Sequence, residues 1–94
     1  MKLKIATVEG VHETEGETVT IMGHKCFVSE AEDETEKLFT VSEYKSGLRI
    51  CSDTDRNKAI ISAADILSDH PYEQLQKAVR GQLQFHGIEY PLNS

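Results

Sequence analysis

Apolar and polar residues alternate through several short segments in the first half of the chain. Residues 2–8 alternate between apolar and lysine positions at their start, the period of two that is typical of a half-buried β-strand. Four further segments are rich in β-branched and aromatic residues and predict strands: 17–22, 24–29, 38–44 and 48–52. Turns are expected at Gly23 and at 45–47, so consecutive segments should pair as two hairpins.

Two segments between these strands lack an apolar pattern. Residues 9–16 are polar and contain two glycines, which predicts a loop. Residues 30–36, EAEDETE, contain five acidic side chains in seven positions and have no apolar anchor. We expect them to form an exposed, mobile loop.

The apolar period changes to that of a helix after residue 54. A first helix is predicted with an apolar stripe of Ile60, Ala63, Ala64 and Leu67. A second helix follows, with Asp69 as its expected cap, Pro71 in its first turn and Gly87 at its end. Its stripe consists of Tyr72, Leu75, Ala78, Val79 and Leu83. The tail should lie extended against the core or add an edge strand.

These elements predict an α+β fold. We expect an antiparallel sheet of four to five strands, with two C-terminal helices packed on one face. A chain of 94 residues forms one domain, so residues 1–94 are a single domain. An exposed sheet edge would allow a second copy to add a strand, which makes a homodimer compatible with this fold.

The polar segment SDTDRN, residues 52–57, has two interpretations. Its carboxylates can cap the first helix, or its acidic spacing can copy the start of an EF-hand calcium loop. The calcium loop requires glycine and glutamate at positions that are occupied by Lys58 and Ala64. Helix capping is therefore the preferred interpretation.

The charge of the chain is unevenly distributed. Residues 1–44 carry ten acidic and four basic side chains, whereas residues 45–94 carry six of each. The acidic residues form two clusters: Glu9, Glu13, Glu15 and Glu17, then Glu30, Glu32, Asp33, Glu34 and Glu36. Such a field repels phosphate and disfavours direct nucleic-acid binding. Lys45, Arg49, Arg56 and Lys58 could form a small basic patch, but a solvated rim of mixed charge is the simpler interpretation.

The sequence contains few candidate residues for catalysis or metal binding and no candidate membrane span. His24, Cys26 and Cys51 could form part of a metal or thiol site, but their spacing matches no zinc pattern. No catalytic signature or cofactor motif is present, so we expect a protein that is not an enzyme and binds neither cofactor nor metal. The chain begins without a signal-peptide pattern and has no long apolar run, which favours a cytoplasmic protein with free thiols and no membrane partner.

The arrangement of the central segments resembles that of many small proteins encoded by phages and other mobile elements. The resemblance covers about residues 17–67, including "CFVSE", "FTVSEYKSGLRI" and "KAIISAADIL". The features that carry it are Gly23, the turn from Ser42 to Gly47, and the helix start at Ala59 and Ile60. These are hydrophobic and turn positions, so no functional residue is transferred. Several such proteins are similar in size and charge to anti-CRISPR proteins, which inhibit nucleic-acid-targeting complexes by binding them.

Three functional hypotheses follow. The first is a protein-binding inhibitor or regulator whose partner has a basic surface, with a binding site at Glu30, Glu32, Asp33, Glu34 and Glu36. The second is a small structural or housekeeping domain whose acidity serves solubility. The third is a thiol- or metal-dependent activity at His24, Cys26 and Cys51.

Overall fold

The computed structural model describes residues 1–7, 9–32 and 37–93. Five strands precede two helices: β1 (Lys2–Thr7), β2 (Gly10–Ile21), β3 (His24–Glu32), β4 (Lys37–Glu43), β5 (Arg49–Asp53), α1 (Arg56–Ser68) and α2 (Tyr72–Phe85). The strands form one antiparallel sheet in chain order, with β1 and β5 at its two ends. The predicted α+β fold is confirmed.

Both predicted hairpins are present. In the β2–β3 hairpin Ile21 pairs with His24, and the two residues between them, Met22 and Gly23, have φ values of 51° and 79°. Positive φ at both central positions is the signature of a type I′ turn, whose twist matches that of the strands. The second hairpin pairs β4 with β5 and contains a register shift at Val41 and Ser42.

The prediction of a loop over residues 9–16 is wrong, because β2 begins at Gly10. The first half of β2 pairs with β1 and the second half pairs with β3. Most side chains of the first half are exposed, so the backbone forms a ladder that no apolar alternation reveals. Gly16 lies where these strands are closely packed, since a Cβ atom there would lie 3.1 Å from the Val28 carbonyl oxygen and 3.2 Å from Leu3 Cδ1.

The prediction of a loop over residues 30–36 is wrong for its first three residues. The segment Glu30–Glu32 belongs to β3, where Glu30 pairs with Phe39 and Glu32 pairs with Lys37. Backbone hydrogen bonds of a ladder form irrespective of side-chain charge, and Lys37 on the facing strand lies 3.0 Å from the carboxylate of Glu30. Asp33, Glu34 and Glu36 lie outside the described residues.

The main hydrophobic core lies between the sheet and α1. Buried side chains from both layers form it: Ile21, Cys26, Val28, Val41, Ala59, Ala63 and Leu67. The alanines on α1 let the helix backbone approach the sheet closely, which explains the complete burial of Cys26 and Val41 beneath it. Leu75 of α2 packs against the same core, and Val79 and Leu83 of α2 are buried as predicted.

A smaller core covers Phe27 on the opposite side of the sheet. Leu3 and Tyr44 pack on Phe27, and the Tyr44 ring meets the Phe27 ring edge-on at 6.5 Å. Strand β1 reaches this core because its Ala6 N–H donates to the carbonyl of Gly47, at 3.0 Å, in the turn between β4 and β5. The sheet therefore curls so that β1 lies against the far hairpin.

Glu43 organises the turn between β4 and β5. Its side chain is 2% exposed and accepts hydrogen bonds from the backbone N–H groups of Lys45 and Ser46, at 3.2 and 2.8 Å. The side-chain amide of Gln76 on α2 donates a third bond of 3.1 Å. Buried carboxylates require such donors, so this residue joins the turn to α2.

The helix boundaries agree with the predicted capping of α1. The Asp55 carboxylate accepts from Lys58 N–H at 3.1 Å, and Asp53 accepts from Asp55 N–H at 3.0 Å. The predicted capping role of Asp69 for α2 is wrong, because Asp69 ends α1 and α2 begins after Pro71 without a side-chain cap. Gly87 ends α2 with φ of 71°, as predicted for a C′ glycine.

The C-terminal tail lies against the core and does not extend the sheet in the part that the structure describes. Its backbone N–H groups at Leu92 and Asn93 donate to the carbonyl of Lys45. The Asn93 side chain bonds both backbone groups of Lys4 and the carbonyl of Tyr44, at 2.8 to 2.9 Å. The tail thus joins β1 to the turn that Glu43 holds.

Gly47 is expected to be essential to this junction. It has φ of 67°, and a Cβ atom there would lie 2.5 Å from the carbonyl oxygen of Lys4. Gly47→Ala should lower the free energy of unfolding by at least about 2 kcal/mol in urea denaturation. Gly81→Ala is the matched control, since open space surrounds this helical glycine, and it should stabilise by about 1 kcal/mol. Equal effects of the two substitutions would contradict the predicted junction.

Candidate functional site

Both acidic clusters border one depression on the sheet. Glu15, Gly16 and Glu17 of β2, Val28 and Glu30 of β3, Phe39 of β4 and Arg56 of α1 line a depression of about 360 Å³. We call this the acidic depression and define it by Glu15, Glu17 and Glu30. The sequence separates these glutamates by as many as fifteen positions, and the antiparallel pairing of β2 with β3 brings them together.

The position of α1 explains why this part of the sheet is uncovered. Glu17 faces Val28 in the β2–β3 ladder, and Glu30 faces Phe39 in the next ladder. Val28 and Phe39 belong to the core beneath α1, so the glutamates lie on the helix-bearing face of the sheet. The helix begins only at Arg56, which lines the same depression. The part of this sheet face that lies beyond the first turn of α1 carries the glutamates.

Each of the three carboxylates has a cation within ion-pair distance. The amino group of Met1 lies 3.0 Å from Glu15, Arg56 lies 3.5 Å from Glu17, and Lys37 lies 3.0 Å from Glu30. The glutamate side chains are 71, 78 and 54% exposed, respectively. Exposed pairs of this kind contribute about 0 to 1 kcal/mol. These ion pairs therefore contribute little to the stability of the fold.

The structure describes two of the five residues of the predicted binding site, whose role in binding stays a prediction. Glu30 lies in the acidic depression, and Glu32 ends β3 opposite Lys37. Asp33, Glu34 and Glu36 fall outside the described residues and stay a sequence prediction. The contribution of Glu15 and Glu17 was not predicted, because the segment that precedes Glu17 was expected to be a loop. The recurrence of glutamate at 13, 15 and 17, with strand period, is the signal that could have indicated a shared face.

The two thiols are placed apart and are both hydrogen-bonded. Cys26 is on β3 and Cys51 is on β5, with β4 between them, and both are free. Cys26 donates to the carbonyl of His24 at 3.6 Å, and Cys51 donates to the carbonyl of Ala59 at 3.1 Å. Burial raises the pKa of Cys26 to about 12, with a further increase from the charge of Glu43. Burial also raises the pKa of Cys51.

His24 has a structural environment. It is buried, its Nε2 atom lies 2.9 Å from the carbonyl oxygen of His70, and its ring packs against Tyr72 at 5.8 Å. Within the described parts of the chain, no three His, Cys, Asp or Glu side chains are grouped as metal ligands would be. Asp53 and Asp55 would be two of the ligands in the calcium-loop alternative. Their carboxylates instead accept hydrogen bonds from backbone N–H groups at the start of α1.

Two further findings concern the chain as a whole. Among the described residues, neither helix is long and apolar enough to cross a membrane. Comparison with known proteins finds no matching family model, curated sequence or solved structure.

The thiols should react in a fixed order with iodoacetamide. At pH 9.0, the ordinary pKa of a thiol, Cys26 should remain protonated and unmodified because its pKa is about 12. In a Cys51→Ser variant, mass spectrometry should therefore detect no rapid labelling of Cys26 until urea unfolds the protein. In the reciprocal Cys26→Ser variant, the half-buried Cys51 should be labelled, but more slowly than free cysteine. Labelling of native Cys26 at the rate of free cysteine would contradict this prediction.

Proposed function

We propose that this protein is a non-enzymatic cytoplasmic factor that binds the basic surface of a nucleic-acid-handling protein. It would act as an inhibitor or regulator encoded by a mobile element, in the manner of anti-CRISPR proteins. The observation that carries the proposal is the convergence of Glu15, Glu17 and Glu30 in one depression. The acidic segment 32–36 continues the same charge along the chain.

Electrostatics supports this choice of partner. The carboxylates of the acidic depression are exposed, and their exposed ion pairs are weak, so the charge can be offered to an external cation. An array of negative charge accelerates encounter with a positive surface and disfavours acidic partners and nucleic acids. A groove that binds a phosphate backbone provides such a surface.

The thiol environments support a role without catalysis. A nucleophilic cysteine requires a lowered pKa and a neighbouring base. The pKa values of Cys26 and Cys51 are both raised, and both thiols donate to backbone carbonyls. These features oppose the hypothesis of a thiol-dependent activity.

One observation favours the alternative of a structural or housekeeping domain. Each glutamate of the acidic depression is already paired with a cation of the same chain. Such local compensation would suit a surface whose charge serves only solubility. Variants that neutralise these glutamates distinguish the two functions.

Neutralising the acidic depression should weaken partner binding. We expect the triple variant E15Q/E17Q/E30Q, immobilised and exposed to bacterial lysate at low salt, to retain about tenfold less of a basic partner than the unmodified protein. A second variant, E32Q/D33N/E34Q/E36Q, tests the acidic segment in the same assay. Bound proteins are identified and quantified by mass spectrometry at low and high salt.

The matched control is D65N/D69N/E73Q, which removes three exposed charges from the helical part of the chain. It should retain the partner, and thermal melting should show that all variants remain folded. Retention of one basic protein by the control and not by E15Q/E17Q/E30Q supports the proposal. Equal retention by both triple variants, or no specific partner at either salt concentration, favours the structural alternative.

A further inference from the structure

A second depression has the opposite charge, since two cationic side chains line it. Lys45, Arg80, Gln84, Ile88, Glu89, Tyr90 and Pro91 surround about 540 Å³ where α2, the β4–β5 turn and the tail meet. We call this the basic depression. Its volume falls within the range of about 300 to 1,000 Å³ that is usual for small-molecule sites.

Arg80 is held in the basic depression without using its hydrogen-bond donors on a carboxylate. Its guanidinium carbon lies over the ring of Tyr90, 4.8 Å from the ring centroid. Contact with an aromatic face stabilises the cation and leaves its N–H groups available. Across residues 1–7, 9–32 and 37–93, no ion pair involves Arg80 or Lys45.

Tyr90, the ring beneath Arg80, is itself fixed in position. Its hydroxyl donates to the side-chain oxygen of Gln76, and the amide of Gln76 donates to buried Glu43. Burial and Glu43 raise the pKa of this hydroxyl, whereas Lys45 and Arg80 oppose the increase. Arg80 lies over this ring, and Lys45 lines the same depression.

The backbone of Lys45 is fixed in the same way. Its N–H donates to Glu43, and its carbonyl accepts from Leu92 and Asn93 of the tail. Only the side chain of Lys45 is free to reorient, and this residue is exposed. The ring therefore sets the position of the Arg80 cation, whereas the turn fixes only the backbone from which the Lys45 side chain extends.

From this arrangement we infer that the basic depression binds the phosphate group of a small ligand. Three side chains here can donate hydrogen bonds: the cations of Lys45 and Arg80, and the neutral amide of Gln84. A phosphate carries about −1.5 to −2 charges at pH 7 and three acceptor oxygens, and so matches this set better than a carboxylate does. Ile88 and Pro91 provide an apolar wall for an organic substituent.

Glu89 and Glu43 are the negative groups that oppose a bound phosphate. Glu89 lines the depression and is exposed, whereas Glu43 is buried and committed to its three hydrogen bonds. Glu89→Gln should therefore tighten phosphate binding. This inference does not depend on the proposed protein partner, which would bind at the acidic depression.

The test is a titration of the complete protein with phenyl phosphate, inorganic phosphate and benzoate, at constant ionic strength, followed by NMR chemical shifts. Phenyl phosphate or inorganic phosphate should give saturable shifts at Lys45, Arg80 and Gln84. Tighter binding of phenyl phosphate identifies a phosphate ester as the ligand, and equal binding identifies the free phosphate group. Benzoate, with the same ring and a single charge, should bind about tenfold more weakly than phenyl phosphate.

Variants separate a specific site from general charge attraction. Lys45→Gln and Arg80→Gln should each weaken phosphate binding about tenfold, while Lys77→Gln, an exposed change on the same helix, should alter it by less than about twofold. Lys45→Gln retains the contact between Arg80 and Tyr90, so it stays informative if Arg80→Gln is unstable. Shifts that do not saturate, equal losses in the Lys45 and Lys77 variants, or benzoate binding as tight as that of phenyl phosphate would overturn the inference.

Discussion

Much of the structure depends on the hydrogen bonds of the buried Glu43 carboxylate. It accepts two hydrogen bonds from the β4–β5 turn and one from the side chain of Gln76. The same side chain accepts a hydrogen bond from the hydroxyl of Tyr90. All three donors are neutral, so each of them is needed to replace the water that the buried carboxylate has lost. The turn, α2 and the tail must therefore keep their relative positions.

The position of the turn has consequences for the whole sheet. Gly47 has no room for a side chain because β1 lies against it, and the tail bonds β1 through Asn93. These contacts draw the first strand toward the last hairpin and close the smaller core over Phe27. Strand β2 is long enough to pair with β1 and then with β3, and this pairing brings Glu15 and Glu17 beside Glu30.

The sequence predicted those elements whose side chains record their environment. Alternating apolar residues revealed both hairpins, and the change to helical period together with Asp55 revealed α1. The first half of β2 and the end of β3 were missed because their side chains face solvent or carry charge, and only backbone pairing makes them strands. The sequence reveals the acidic residues of this depression but not that they lie close together. Their proximity depends on the pairing of β2 with β3, which extends into segments that resemble loops.

The two charged depressions differ in how their charged side chains are held, and this difference bears on the ligands proposed for each. The carboxylates of the acidic depression are solvated and weakly paired, so they can adjust to a large surface, and binding there should depend strongly on salt. In the basic depression, Arg80 rests on a ring that Gln76 and Glu43 immobilise, and the backbone of Lys45 is bonded on both sides. A cation positioned in advance, as Arg80 is, loses little entropy on binding, and such preorganisation suits a small anion that offers few contacts, whereas the side chain of Lys45 would be ordered by the ligand. The exposed carboxylates of the acidic depression and the ring-supported cation of the basic depression would therefore suit ligands of different size as well as opposite charge.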